Sequence, residues 1–281
     1  MKTRALVIFS LIALLVVLSC NNDEVDNTVV GSGNRITEVR SLDPFHSLEL
    51  WTVGEVNLRQ GAKQEVSVTI SDNLMQYVST RVSNGTLVID VDGSNTYTNF
   101  DLTVDVWMTD LERLINYGAG TITGRNRFTV DTSSLLSRGA GNMTLEVEAD
   151  LLTSGLEGAG QMTLRGTAQT HQVEMVGTST LRAFDLITEN TTISTGSIGN
   201  AEIHVTQTLI VTISGLGSVY YKGRPTITQY ITGGGSLIDA NDTLVQCGPH
   251  FDSMEESARI FIVDIPRSGS SLPSFSRQMQ Q

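Results

Sequence analysis

Positive charge is scarce in this sequence: 18 Lys and Arg stand against 30 Asp and Glu, a formal net charge of −12. Proteins hold nucleic acid by neutralising phosphates with basic side chains, so an acidic chain is repelled and nucleic acid is excluded as a partner. Cysteine is scarcer still; Cys20 and Cys247 are the two present, too few for a disulfide framework. Aromatics make up 6% of the chain, and the one long apolar run is Ala5 to Leu18, interrupted by Ser10 and too short to cross a bilayer comfortably. Five prolines against 26 glycines, with abundant Thr, Ser and Val, favour strands joined by tight turns over helical bundles and exclude global disorder. The 281 residues suffice for one large domain or two modest ones.

Lys2 and Arg4 ahead of the apolar run, and Val17-Leu18-Ser19-Cys20 at its end, make residues 1–19 a signal peptide with a lipobox, leaving Cys20 as a lipid-bearing N-terminus. Acyl chains would tie the protein to a membrane, each buried methylene contributing about 0.8 kcal/mol. Residues 20–30 begin Cys-Asn-Asn-Asp-Glu and read as a flexible acidic tether. The expected location is the bacterial envelope, as an outer-membrane lipoprotein, either periplasmic or surface-exposed. With Cys20 acylated, Cys247 is left as a lone thiol with no histidine or acid motif around it.

A glycine phrase then recurs: Gly118-Ala-Gly120, Gly139-Ala-Gly141, Gly158-Ala-Gly160, Gly177-Thr-Ser179, Gly196 to Gly199, Gly215-Leu-Gly217 and Gly233-Gly-Gly235. The position after each phrase holds Thr121, Asn142, Gln161, Thr180, Asn200, Ser218 and Ser236, at separations of 21, 19, 19, 20, 18 and 18. The next column, Ile122, Met143, Met162, Leu181, Ala201, Val219 and Leu237, is apolar throughout, and the one after it is mostly not. That alternation is strand-like, and the segments between phrases are too short for ordinary helices. A repeat this small cannot enclose a core alone, but stacked turns bury their apolar columns one above another. The expected fold is therefore all-β, a right-handed parallel β-helix with coils of about 19 residues. Glycines would mark its corners, through close approach of neighbouring turns and often positive φ, with the polar column as a ladder beside them. No strand–glycine loop–helix context for phosphate exists, and no Asp follows the glycines at a calcium-repeat offset.

Residues 31–115 carry the same strand chemistry less regularly, with turn signals at Asn84-Gly85 and Asp92-Gly93, and 116–240 hold the glycine coils. Gly31-Ser-Gly33-Asn34, Phe45-His-Ser-Leu-Glu-Leu, Asn57-Leu-Arg-Gln-Gly61, Leu87-Val-Ile-Asp-Val-Asp-Gly93 and the closing Ser214 to Ile227 resemble the head GIN domain family of autotransporter-type adhesins, over roughly residues 31 to 238. The resemblance implies a β-helical fold, an envelope location and no established catalytic residues. The sequence departs from the pattern at Thr178-Ser179 and again beyond residue 240. In the 241–281 extension, Arg259 to Ile265 is a candidate strand capping the open end, followed by a disordered tail. Exposed strands at the rod's ends call for a cap or self-association.

Catalysis requires a separate test, because many β-helices cleave polysaccharides. Asp90 and Asp92 form the best acidic pair, about 6.6 Å apart on one strand face, compatible with an inverting glycosidase yet also ordinary for turn carboxylates. Asp101 and Asp105 fall about 13 Å apart, too far, while Glu146 and Glu148 read as solvated outer-face charges. His46, His171, His204 and His250 form no metal-ligand pair, and no nucleophile elbow appears. No cofactor or metal is expected. Trp51, Trp107, Tyr220, Tyr221 and Tyr230 are read as core or groove packing, with sugar stacking the alternative. The leading reading is a non-enzymatic adhesin that binds a polysaccharide or another envelope protein through one face of the rod. The alternatives are a glycan-degrading lyase or hydrolase and a structural envelope component.

Overall fold

The computed structural model describes residues 27–241 and is an all-β solenoid of about seven turns. The signal peptide, Cys20, and the extension with Cys247 and Arg259–Ile265 lie outside the described residues. The expected tether reaches residue 30, but β1 (Thr28–Val30) is already a strand. It pairs in parallel with a later segment, Thr96–Thr98, and Val30 O accepts from Asn73 Nδ2 at 2.8 Å.

The front half departs from a plain stack of parallel coils. It contains β2 (Arg35–Arg40), β3 (Ser47–Leu50), β4 (Glu55–Gln60), β5 (Glu65–Ser71), a short 3-10 helix (Asp72–Tyr77) and β6 (Val78–Ser83). There follow β7 (Thr86–Val91), β8 (Thr96–Thr98), β9 (Thr103–Met108) and β10 (Arg113–Asn116). Chain order and spatial order differ here. β3 lies in parallel between β7 and β10, and β4 between β9 and the next strand, so residues 47–60 form the second coil and 86–108 the outermost one. Antiparallel strands then occupy the outermost edges: β5 pairs with β9, β2 with β5, and β6 with β7. The β6–β7 hairpin turns at Asn84-Gly85 with φ of 49° and 70°, the left-handed pair that a two-residue hairpin demands. At this end antiparallel strands, rather than a further parallel rung, finish the stack and act as a cap.

Five long strands follow: β11 (Thr121–Ser137), β12 (Met143–Leu156), β13 (Gln161–Met175), β14 (Thr180–Thr195) and β15 (Ala201–Ile213). Each contributes to two faces of a coil, pairing in parallel with the strand before and after it. β16 (Val219–Lys222), β17 (Thr226–Ile231) and β18 (Leu237–Asp239) complete the stack. The apolar column is in register from Ile122 through Met143, Met162, Leu181, Ala201 and Val219 to Leu237, and the first six are buried. At the far end every residue of β17 is exposed, and its one pairing among the described residues is to β15.

The phrase glycines serve close approach. A Cβ on Gly160 would lie 1.9 Å from Gly141 O, and one on Gly141 would lie 2.0 Å from Gly120 O. Positive φ, the other expected reason, applies within the seven phrases to Gly177 alone. Ser179 stands where a second glycine is missing; it is buried, and its hydroxyl donates to Gly158 O at 2.7 Å. Beside the corners the polar column bonds successive turns. Asn142 Oδ1 accepts from Gln161 N at 3.3 Å, Asn200 Oδ1 from Ser218 N at 2.9 Å, and Ser218 Oγ from Ser236 N at 3.3 Å.

Candidate functional site

Where β11–β14 pass from one face of the coil to the next, two outward rows flank an inward one. The inward row, Val130, Ala149, Ala168 and Thr188, is in register and buried. One outward row is Thr129, Glu148, Thr167 and Ile187, also in register; the other is Asp131, Asp150, Gln169 and Glu189, each one residue beyond the floor. Residues two apart on a strand are separated by about 6.6 Å, so the rows bound a channel along the rod axis. Its volume is about 590 Å³. Its lining carries four carboxylates and no Lys or Arg.

Both ends of the channel are held by hydrogen bonds. Gln60 Oε1 accepts from Thr129 N at 2.8 Å, and Gln60 Nε2 donates to Thr129 O at 3.0 Å. At the other end Thr206 Oγ1 donates to Thr188 O at 2.9 Å, and Thr188 Oγ1 donates to His204 O at 2.9 Å. Arg127 clamps Glu146 at 2.8 Å and Glu148 at 3.4 Å, so those two carboxylates are paired, and they hold the guanidinium more firmly charged.

Asp90 and Asp92 sit elsewhere and line none of this channel. Asp90 is on β7, its Oδ1 accepting from Val91 N at 2.8 Å; β7 ends at Val91, so Asp92 is already in the turn. Hydrogen bonds from Ser94 hold the Asp92 carboxyl below its usual range, which favours the ionised form and disfavours a general acid. Two Ser–His pairs exist that sequence did not reveal. Ser47 Oγ and Glu112 Oε2 both approach the same His46 nitrogen, Nδ1, at 3.4 and 2.8 Å, so His46 cannot relay a proton from serine through one nitrogen to carboxylate at the other. Ser154 Oγ meets His171 Nε2 at 2.9 Å, but both residues are sealed in the core. Among the described residues no three His, Cys, Asp or Glu side chains converge as metal ligands, and no helix is long and apolar enough to cross a membrane.

The aromatic reading needs correction. Trp51 and Trp107 are 48% and 40% exposed, and Tyr230 is exposed as well. Leu50 and Met108 point inward, so their neighbours must point out; the period-two alternation itself carried the signal. Trp51 stacks on Tyr117 with centroids 3.9 Å apart, while Tyr221 reaches Asp239 at 3.3 Å. The channel was missed too, although Asp131, Asp150, Gln169 and Glu189 recur at separations of 19, 19 and 20, the spacing of the glycine phrases.

Fold and channel together define a β-solenoid that presents a long, polar, repeated face. Residues 44–225 match the family described as "putative auto-transporter adhesin, head GIN domain". The chain belongs to that family. Three solved structures share the fold. A "putative adhesin" of Bacteroides fragilis is 24% identical, with a TM-score of 0.73 over 75% of this chain and 99% of that one. A "putative adhesin" of Parabacteroides merdae is 22% identical, with a TM-score of 0.60 over 76% and 100%. A "putative lipid binding protein" of Parabacteroides distasonis is 24% identical, with a TM-score of 0.64 over 76% and 100%. No curated protein matches.

Proposed function

We propose that this chain is a lipid-anchored, non-enzymatic adhesin of the bacterial envelope that holds an extended polysaccharide along the axial channel. The carrying observation is the channel itself: equivalent positions on four successive coils, repeating every 4.8 Å or so, set two rows of outward, mostly polar side chains at a regular spacing along a polymer's path. With Glu148 paired to Arg127, the carboxylates of Asp131, Asp150 and Glu189 and a lining without Lys or Arg favour uncharged or amino-sugar chains and repel uronic or sulfated ones. Two of the three similar solved structures described above carry adhesin names, which agrees with this reading.

A printed array of neutral, cationic and anionic polysaccharides, probed with the full-length chain in detergent, tests it. Binding confined to neutral or cationic glycans is expected, with Asp150→Arg weakening it at least tenfold, equivalent to about 1.4 kcal/mol, and leaving Tm unchanged. A blank array with a co-purifying envelope protein would overturn the polysaccharide reading. Reducing ends or unsaturated products that vanish in Asp90→Asn would overturn the non-enzymatic one. For the anchor, Cys20→Ala is expected to move the protein from the membrane to the soluble fraction, and unchanged fractionation would refute acylation.

A further inference from the structure

We infer that Trp107 is the floor of a sugar-stacking subsite at the capped end of the channel, taking one pyranose ring of a neutral or amino-sugar glycan. The inference rests on the proposed glycan reading of the channel and adds a site outside it. On β9 the inward Val106 and Met108 turn the Trp107 indole outward, between Arg59 of β4 and Glu65 of β5, its partners in register. Arg59 Cζ stands 5.4 Å from the ring centroid, and Arg59 Nη1 is fixed by Asp105 Oδ1 at 2.9 Å, so the indole is held from one side.

Gly61 lets the indole lie close against the end of β4, while 40% of Trp107 stays exposed. The Gly61 N–H donates to Met108 O at 2.9 Å, and a Cβ there would lie 2.9 Å from Trp107 Cε3 and 3.2 Å from Cζ3. Any larger residue would press onto the six-membered ring; with glycine a hollow of about 350 Å³ remains, bounded by Gly61, Ala62, Lys63, Glu65 and Trp107. Lys63 and Glu65 form no ion pair or side-chain hydrogen bond among the described residues, leaving a donor and an acceptor free at the rim. An apolar ring face with unengaged polar groups around it matches a pyranose, whose C–H face stacks while its hydroxyls take donors and acceptors.

The subsite also meets the channel. Gln60, which immediately precedes Gly61, makes the paired hydrogen bonds to Thr129 in the channel wall. A glycan lying along the Thr129–Ile187 row can therefore continue past Gln60 towards the indole.

The test uses the full-length chain with Trp51→Phe, which leaves Trp107 as the single tryptophan, and titrates neutral hexasaccharides and a glucosamine hexamer. The expected result is a shift of Trp107 emission with protection from acrylamide quenching. Trp107→Ala is expected to weaken array binding at least tenfold, and Lys63→Ala several-fold with no change in Tm. Binding that is lost in Asp150→Arg but retained in Trp107→Ala and Lys63→Ala, with Trp107 emission unmoved, would overturn the subsite and leave the channel standing. No binding by any probe would overturn both.

Discussion

Gly160→Ala is expected to destabilise the fold by about 3 kcal/mol, a loss of roughly 6–12 °C in Tm for a domain of this size. The added methyl would sit 1.9 Å from Gly141 O and 3.0 Å from Gly141 C, far inside van der Waals contact. The obstruction is backbone, which cannot swing aside as a side chain would. Moving the Gly160 turn away to make room would stretch Ala159 N to Gly139 O and press Gly160 O onto Thr180 N, both 3.1 Å now. Yielding downward is closed as well, because Gly141 is itself packed against Gly120 O. Gly93→Ala is the control: nothing lies within 4 Å of its added methyl, and its expected effect is within about 0.5 kcal/mol. Thermal unfolding followed by circular dichroism, with a urea titration to check that the m-value holds, measures both. A drop for Gly160→Ala no larger than for Gly93→Ala would mean that the turns do not approach as closely as the corner requires.

The same corner shows what one sequence can reveal. The glycine spacing and the apolar column beside it specify the coil register from Ile122 to Leu237, because each repeat writes the same local geometry again. Nothing comparable marks the front half. That residues 47–60 lie between 86–108 and the following coil is settled by pairings such as Ser47 with Thr86 and Glu55 with Thr103, whose partners are distant and share no repeated phrase. The cap follows from that insertion, so it was equally hidden. The channel rows were legible as a period, yet a polar residue every nineteen positions acquires meaning only when the row two residues away also faces outward. Trp107 was legible from alternation, but the way its ring lies against Gly61 was not, because Gly61 is a neighbour across strands rather than along the chain.

His171 makes stability depend on pH, and about 3 kcal/mol is expected to be lost as pH falls from above 6.5 to about 4. The ring points into the core from β13, 1% exposed, in a column with Leu152, Thr191 and Leu209. Its one hydrogen-bond partner is the neutral Ser154 hydroxyl, and burial pushes its pKa from the ordinary 6.5 down to about 4. In the unfolded chain the imidazole takes up a proton near pH 6.5; in the folded chain it resists until about 4. Between those values the unfolded state binds more protons, so the free energy of unfolding falls with pH; it is full above 6.5 and flat again below 4. Asp72 and Asp92, whose folded-state pKa values are lowered from 3.8 by hydrogen bonds, lose their stabilising ionisation only at more acidic pH, outside the histidine window. Urea unfolding at pH 7, 6 and 5 keeps those two carboxylates out of the window, and the His171 contribution to the slope approaches one proton at pH 5. His171→Leu alone would orphan the Ser154 hydroxyl at a cost of about 1–3 kcal/mol, so the informative variant is His171→Leu with Ser154→Ala. It should lose the histidine slope over this range, and a wild-type protein that already shows none would place His171 in contact with water or charge rather than in the sealed core.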